Sequence, residues 1–244
     1  MNWPTVKVTA VAFIAVLTTL ESQQAWAQMM SSTQKARTDV AAAMSVDYAS
    51  AYIFRGTTVN SKSVVQPALE LTVGDRAQIG LWGNFPVGRE EEELKQEVDI
   101  YARYAVPFDL ATLVVGAWEY TYPENDVQND REIEATIALN TLLSPTLSAY
   151  FGVDGAAEDN EYYEFALSQD LLQRQALSLN IGGKVGYQDN DVGEDGFNHA
   201  LLTLAAGYEI LNASANWVFE TDEDVNDLAG QENFYLSVGT GYSF

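Results

Sequence analysis

Glu97-Val98-Asp99-Ile100-Tyr101-Ala102-Arg103-Tyr104 decides the fold. Polar or charged residues alternate with apolar ones. The same alternation recurs at Glu132–Leu139, Leu177–Ile181 and Asn212–Phe219. Successive side chains of a strand point to opposite faces, so such runs build strands with one wet and one apolar face. A helix would scatter these charges around its whole surface. Marking every such run predicts twelve strands, at 40–54, 64–73, 77–85, 97–106, 110–120, 132–140, 147–153, 161–168, 176–187, 197–208, 211–219 and 232–244. Short connections (74–76, 107–109, 141–146, 169–175, 209–210) alternate with mostly longer ones. That rhythm predicts an all-β, transmembrane, antiparallel up-and-down β-barrel of twelve strands, with short periplasmic turns and longer outer loops.

Parity assigns the faces. Val98, Ile100, Ile133, Ile137, Leu139, Phe151, Phe165, Leu179, Ile181, Leu202, Leu204, Trp217 and Phe219 fall on the predicted lipid side. Asp47, Glu70, Glu97, Asp99, Arg103, Glu119, Glu132, Glu134, Glu164 and Lys184 fall on the interior side. A charge at the bilayer midplane costs a few kcal/mol, so the charged set is expected to point inward. With Arg55, it forms the predicted pore lining. Arg55 is expected either to bridge interior acids such as Glu70 or Asp47, or to stand solvated in the first loop. Tyr52, Tyr104, Tyr120, Tyr187, Tyr208, Trp217 and Tyr242 are expected in interfacial girdles. Twelve tilted strands close at a diameter of about 24 Å. Interior-parity glycines (Gly80, Gly152, Gly182, Gly186, Gly207, Gly239, Gly241) are expected to leave room for water, while Trp82, Tyr101, Tyr150 and Tyr235 narrow it.

The ends carry addresses. Lys7, the apolar run Val8–Leu20 and Ala25-Trp26-Ala27 form a secretory signal peptide over 1–27, with cleavage after Ala27. The run is too short for a spanning helix, which needs about 20 residues. Residues 28–38 are expected to be a short periplasmic leader, and 39–244 the barrel. At the other end, Phe234, Leu236, Val238, Tyr242 and Phe244 share one face of the last strand. This resembles the C-terminal β-signal read by the outer-membrane barrel-assembly machinery. The expected location is the outer membrane of a Gram-negative cell, with lipid and lipopolysaccharide as surroundings.

Composition excludes several functions. The chain of 244 residues carries 12 Lys+Arg against 35 Asp+Glu, a net charge of −23, and no cysteine. Nucleic-acid binding needs clustered cations, so it is excluded. Disulfides, thiolate metal sites and cysteine nucleophiles are absent. His199 is the only histidine, so no multi-histidine zinc site can form. Its parity points inward, and no Gly-x-Ser-x-Gly element accompanies it, so no enzyme is expected and no cofactor. Acidic loop tips at Glu90–Glu93, Asp189/Asp191/Glu194/Asp195 and Asp222–Asp224 lack the spacing of a calcium hand, and no firm metal site is assigned. Weak divalent bridging to lipopolysaccharide is one expected use for Asp189-Asn190-Asp191 and Asp222-Glu223-Asp224.

Asp47-Tyr48-Ala49-Ser50-Ala51-Tyr52-Ile53-Phe54-Arg55-Gly56 resembles the TorF family of porin-like Gram-negative outer-membrane proteins. So do Ile79–Asn84, Glu97–Tyr101 and Tyr120-Thr121-Tyr122-Pro123. The family continues after Arg-Gly with a Ser-Gln element, where this chain has Thr57-Thr58-Val59-Asn60. The resemblance implies a barrel and a porin role, and no particular substrate. The combined expectation is a passive channel for small hydrophilic, preferentially cationic or neutral solutes. Glu97, Asp99, Glu132 and Glu134, on adjacent strands near the outer mouth, would favour cations. The alternative is a non-conducting structural or surface-binding barrel whose acidic loops hold cations or a partner.

Overall fold

The computed structural model describes residues 40–74, 76–88, 96–123, 128–219, 225–226 and 231–244. The signal peptide, the leader and the acidic tips Glu90–Glu93 and Asp222–Asp224 lie outside the described residues. Fourteen strands form among the described residues. Twelve make one closed antiparallel barrel: β1 (Val40–Ala49), β4 (Val64–Val73), β5 (Ala77–Pro86), β6 (Glu97–Pro107), β7 (Ala111–Thr121), β8 (Asp130–Leu139), β9 (Thr146–Asp154), β10 (Glu161–Arg174), β11 (Leu177–Asp189), β12 (Gly196–Tyr208), β13 (Leu211–Phe219) and β14 (Phe234–Ser243). β14 pairs with β1 and shuts the barrel, with Ala42 and Phe244 exchanging backbone hydrogen bonds at 2.9 Å in both directions. Closure leaves the barrel no sheet edge, so each of its twelve strands is paired on both sides.

The exterior is apolar. Leu69, Leu81, Ile100, Ile133, Ile137, Leu202 and Leu204 are exposed, as are Phe234, Leu236, Val238, Tyr242 and Phe244 of the last strand. The interior is polar: Asp47, Glu70, Glu97, Asp99, Arg103, Glu132, Glu134, Glu164 and Lys184 are all buried. This inverts a water-soluble protein, in which ionisable groups are rarely buried and apolar ones usually are.

Three expectations change. The first strand does not run to 54. It ends at Ala49, and Tyr52–Phe54 (β2) pairs with Thr57–Asn60 (β3) in a separate two-stranded hairpin. The turn expected over 169–175 is mostly strand. β10 continues to Arg174, which pairs with Leu177 across a two-residue turn, with Gln175 at φ +52°. Interior glycines such as Gly80, Gly186 and Gly239 do not hold open space. Gly80 pairs with Tyr101 on the neighbouring strand, and a Cβ there would come within 2.1 Å of the Tyr101 ring. A Cβ on Gly239 would meet Asp47, and one on Gly186 would meet Tyr162. Gly80 and Gly186 make way for tyrosine side chains, and Gly239 for a carboxylate. Gly80→Val therefore pushes Tyr101 off Glu70, its hydrogen-bond partner at 3.0 Å. Overpacking of this kind costs about 1–3 kcal/mol, readable as a lower urea midpoint for unfolding from lipid.

Candidate functional site: an arginine hairpin inside the barrel

The hairpin β2–β3 lies inside the barrel and touches both walls. On one side, Tyr52 packs with Ala49 and Val64, and against Phe54, Val59 and Trp82. On the other, Ile53 packs with Ala166 of β10, Leu201 of β12, Val218 of β13 and Tyr235 of β14. Alternation explains this: Tyr52 and Phe54 share one face of β2, and Ile53 takes the other. The turn is Arg55-Gly56, with φ of +48° and +82°. Two consecutive positive φ values are the type I′ signature, whose twist suits a two-residue hairpin. Asn-Gly is the usual choice there. An arginine in the left-handed region costs about 1–2 kcal/mol, so its side chain must be held by something worth at least that.

Glu132 of β8 holds it. Arg55 Nη1 and Nη2 donate to Glu132 Oε1 and Oε2, each at 2.7 Å. The guanidinium carbon stands 4.3 Å from the ring centre of Tyr162 and 4.8 Å from those of Tyr150 and Phe54. Tyr120 donates to Glu132 Oε2 at 2.9 Å. A two-point carboxylate and three aromatic faces together define a cation site. Burial alone would pull the Arg55 guanidinium below its usual pKa. The adjacent Glu132 carboxylate overrides this and holds it above. Burial, then the carboxylates of Glu97 and Asp99, pushes the Tyr52 phenol well up, so it stays neutral.

Two further ion pairs line the same wall. Arg103 Nε donates to Glu134 Oε2 at 2.8 Å, and Trp118 Nε1 donates to the same oxygen at 2.8 Å. Thr136 donates to Glu134 Oε1. Lys184 Nζ donates to Glu164 Oε2 at 2.7 Å, which Tyr162 also reaches at 3.1 Å. Between the pairs lies a cavity of about 110 Å³, lined by hairpin and wall residues including Asp99, Trp118 and His199.

The loop before β14 clasps the hairpin from the long-loop rim. Thr58 N–H donates to Gln231 Oε1 at 2.8 Å, and Glu232 N–H donates to Thr58 Oγ1 at 3.0 Å. Asn198 Nδ2 donates to the Arg55 carbonyl at 3.1 Å. Gly56 sits against His199 and Asn226, too close for any Cβ. His199 hydrogen-bonds Asn198 and stacks over Tyr162, so the lone histidine supports the cage.

Several expected positions are corrected. Arg55 pairs with Glu132, not with Glu70 or Asp47. Glu119 does not face inward. It sits at the loop end of β7, outside, bridging Arg131 at 3.2 Å and Asn129 at 3.0 Å. There the strand has risen towards its connecting loop and the charge has its own counter-ion. Tyr120 and Tyr52 do not belong to a girdle, since both are buried inside. Glu97/Asp99 and Glu132/Glu134 are not on adjacent strands, because β7 lies between β6 and β8. Trp118, Asn198 and Gln231 are site residues that sequence reasoning missed. Among the described residues, no group of three or more His, Asp or Glu is placed to hold a metal ion. The acidic tip 189–195 is instead closed by local bonds, Asn190 N–H to Asp195 and Asn190 Nδ2 to the Glu194 carbonyl.

A family model covers residues 33–240, nearly all of this architecture. The chain belongs to the Gcw_chp family. Gcw_chp is described as bacterial protein of unknown function. No curated protein matches the sequence. A chain solved in work on the in-meso crystallization of membrane proteins superposes with a TM-score of 0.52, at 12% identity over 84% of each chain. An outer membrane channel from Pseudomonas putida F1 gives a TM-score of 0.48, at 14% identity over 87% of this chain and 98% of that one. The first of these shows that this chain shares its fold with a solved structure.

Proposed function

We propose that this chain is an outer-membrane barrel of the porin type, passing small cationic or neutral solutes through a lumen narrowed by its own first loop. The observation that carries the reading is the inverted burial: an apolar exterior around an interior rich in carboxylates. Lipid and lipopolysaccharide suit the exterior. The TorF resemblance and the apolar face of β14 point the same way, with that face as the segment read by the barrel-assembly machinery. The signal peptide supplies export.

Cation preference follows from the lumen's charge. Arg55, Arg103 and Lys184 are matched by Glu132, Glu134 and Glu164. Asp47, Glu70, Glu97 and Asp99 remain as further buried acids. Those acids that ionise in excess of the paired cations lower the entry barrier for cations and raise it for anions. Refolded protein in planar bilayers under a KCl gradient is expected to give a reversal potential favouring K⁺. Glu97→Gln with Asp99→Asn, which leaves the three ion pairs intact, is expected to weaken it. A selectivity unchanged by that pair of substitutions would remove these acids from the path.

A second reading is favoured by the hairpin's contact with both walls: a structural or surface-binding barrel that does not conduct. Folded, inserted protein with no channel events would decide for it.

A further inference from the structure

The Arg55 cage has the composition of a ligand site. Glu132 offers two carboxylate oxygens that each accept from a guanidinium nitrogen at 2.7 Å, and Tyr150, Tyr162 and Phe54 offer ring faces within 4.8 Å. Of these groups only Phe54 comes from the hairpin. Glu132, Tyr150 and Tyr162 belong to β8, β9 and β10 of the wall, with Tyr120 of β7 behind the carboxylate. The wall half of the site is therefore built from strands other than those of the hairpin that fills it. That side chain is held on a turn residue in the left-handed region, an arrangement local backbone preference disfavours. The cavity beside it reaches Asp99, Glu164 and Lys184, so there is space next to the cage.

We propose that the wall cage of Glu132, Tyr150 and Tyr162 is a binding site for the guanidinium group of a small cationic solute. In this structure Arg55 of the hairpin occupies it as a tethered stand-in. Recognition needs three features together: a positive charge for the carboxylate, two parallel N–H donors for its two oxygens, and a flat face for the rings. A guanidinium has all three. A primary ammonium has the charge but cannot present the planar fork. A neutral urea has the fork but lacks the charge. The proposal rests on the channel reading only in taking the ligand to be a passing solute; occupancy of the cage is measured without conduction.

The test removes the stand-in. Full-length Arg55→Ala is refolded into detergent micelles with ethylguanidinium, ethylammonium, urea or sodium chloride at equal low concentration. The expected result is saturable ethylguanidinium binding by calorimetry, with a rise in the thermal midpoint that the other three do not produce. Adding Glu132→Gln is expected to weaken binding about tenfold or more, the loss typical of a charge-assisted pair. A variant that refolds only with ethylguanidinium present supports the proposal equally. Binding that does not saturate, that ethylammonium matches, or that survives Glu132→Gln would overturn it, as would a variant that no cation refolds. If ethylguanidinium binds but bilayers of wild-type protein stay silent, the cage stands and the channel reading fails.

Discussion

Arg103→Met is expected to lower the unfolding free energy by about 3–5 kcal/mol, the usual consequence of stripping one partner from a buried ion pair. Arg103 and Glu134 are the pair to test, because their side chains are only 6% and 0% exposed. Methionine keeps much of the arginine's length against Tyr101 and Trp118, whose rings lie 5.4 and 4.6 Å from the guanidinium carbon. The loss is therefore electrostatic rather than a cavity effect. Glu134 would keep its bonds from Trp118 and Thr136 but lose its counter-charge. Arg103→Met combined with Glu134→Gln removes both charges and is expected to recover most of the stability, since neutral replacements for buried pairs are often tolerated. Urea unfolding of the single and double variants in lipid vesicles measures this. A double variant as unstable as the single one would show that Arg103 contributes by packing.

Leu204→Arg is expected to cost about 2–4 kcal/mol in a bilayer, the range for a cation at mid-membrane on a barrel exterior. Leu204 pairs with Ile181 and Ala215 near the middle of three strands, and its side chain is exposed. It has no acid beside it on that face, unlike Arg131, which has Glu119 and Asp154 at the loop end. The cost is expected in lipid vesicles and to shrink in zwitterionic detergent, where water reaches the surface. Equal stability of wild type and variant in vesicles would mean that this belt does not meet hydrocarbon.

The barrel was legible because its signal is local. Period-two alternation depends only on neighbouring residues, and the strands β4 and β13 fall where the pattern places them. The hairpin was hidden by the same rule. Tyr52-Ile53-Phe54 alternates like the end of β1, and neither Ser50 nor Ala51 is a breaker. Its turn uses Arg-Gly where Asn-Gly would have announced a type I′ bend. Only the long-range bond to Glu132 makes arginine suitable there, and no local pattern carries that. Glu119 shows a second limit. In β7 the charge rule competes with Trp118 and Tyr120 for the inside face, and the aromatics win because their polar tips have acids to reach: Trp118 bonds Glu134 and Tyr120 bonds Glu132. Parity gives two alternatives per strand; partners across the lumen choose between them.

The clasp around the hairpin also constrains the order of assembly. The hairpin leaves the end of β1, and Gln231 and Glu232, which grip it, come just before β14. β1 and β14 form the closing seam, joining the two ends of the barrel sequence. The same pairing that zips the seam thus carries the clasp onto the hairpin. Plugging and closure are expected to coincide late in folding, since both wait on the longest loop the chain must close. A barrel that closes without its hairpin inside would have to reopen its seam to correct the error.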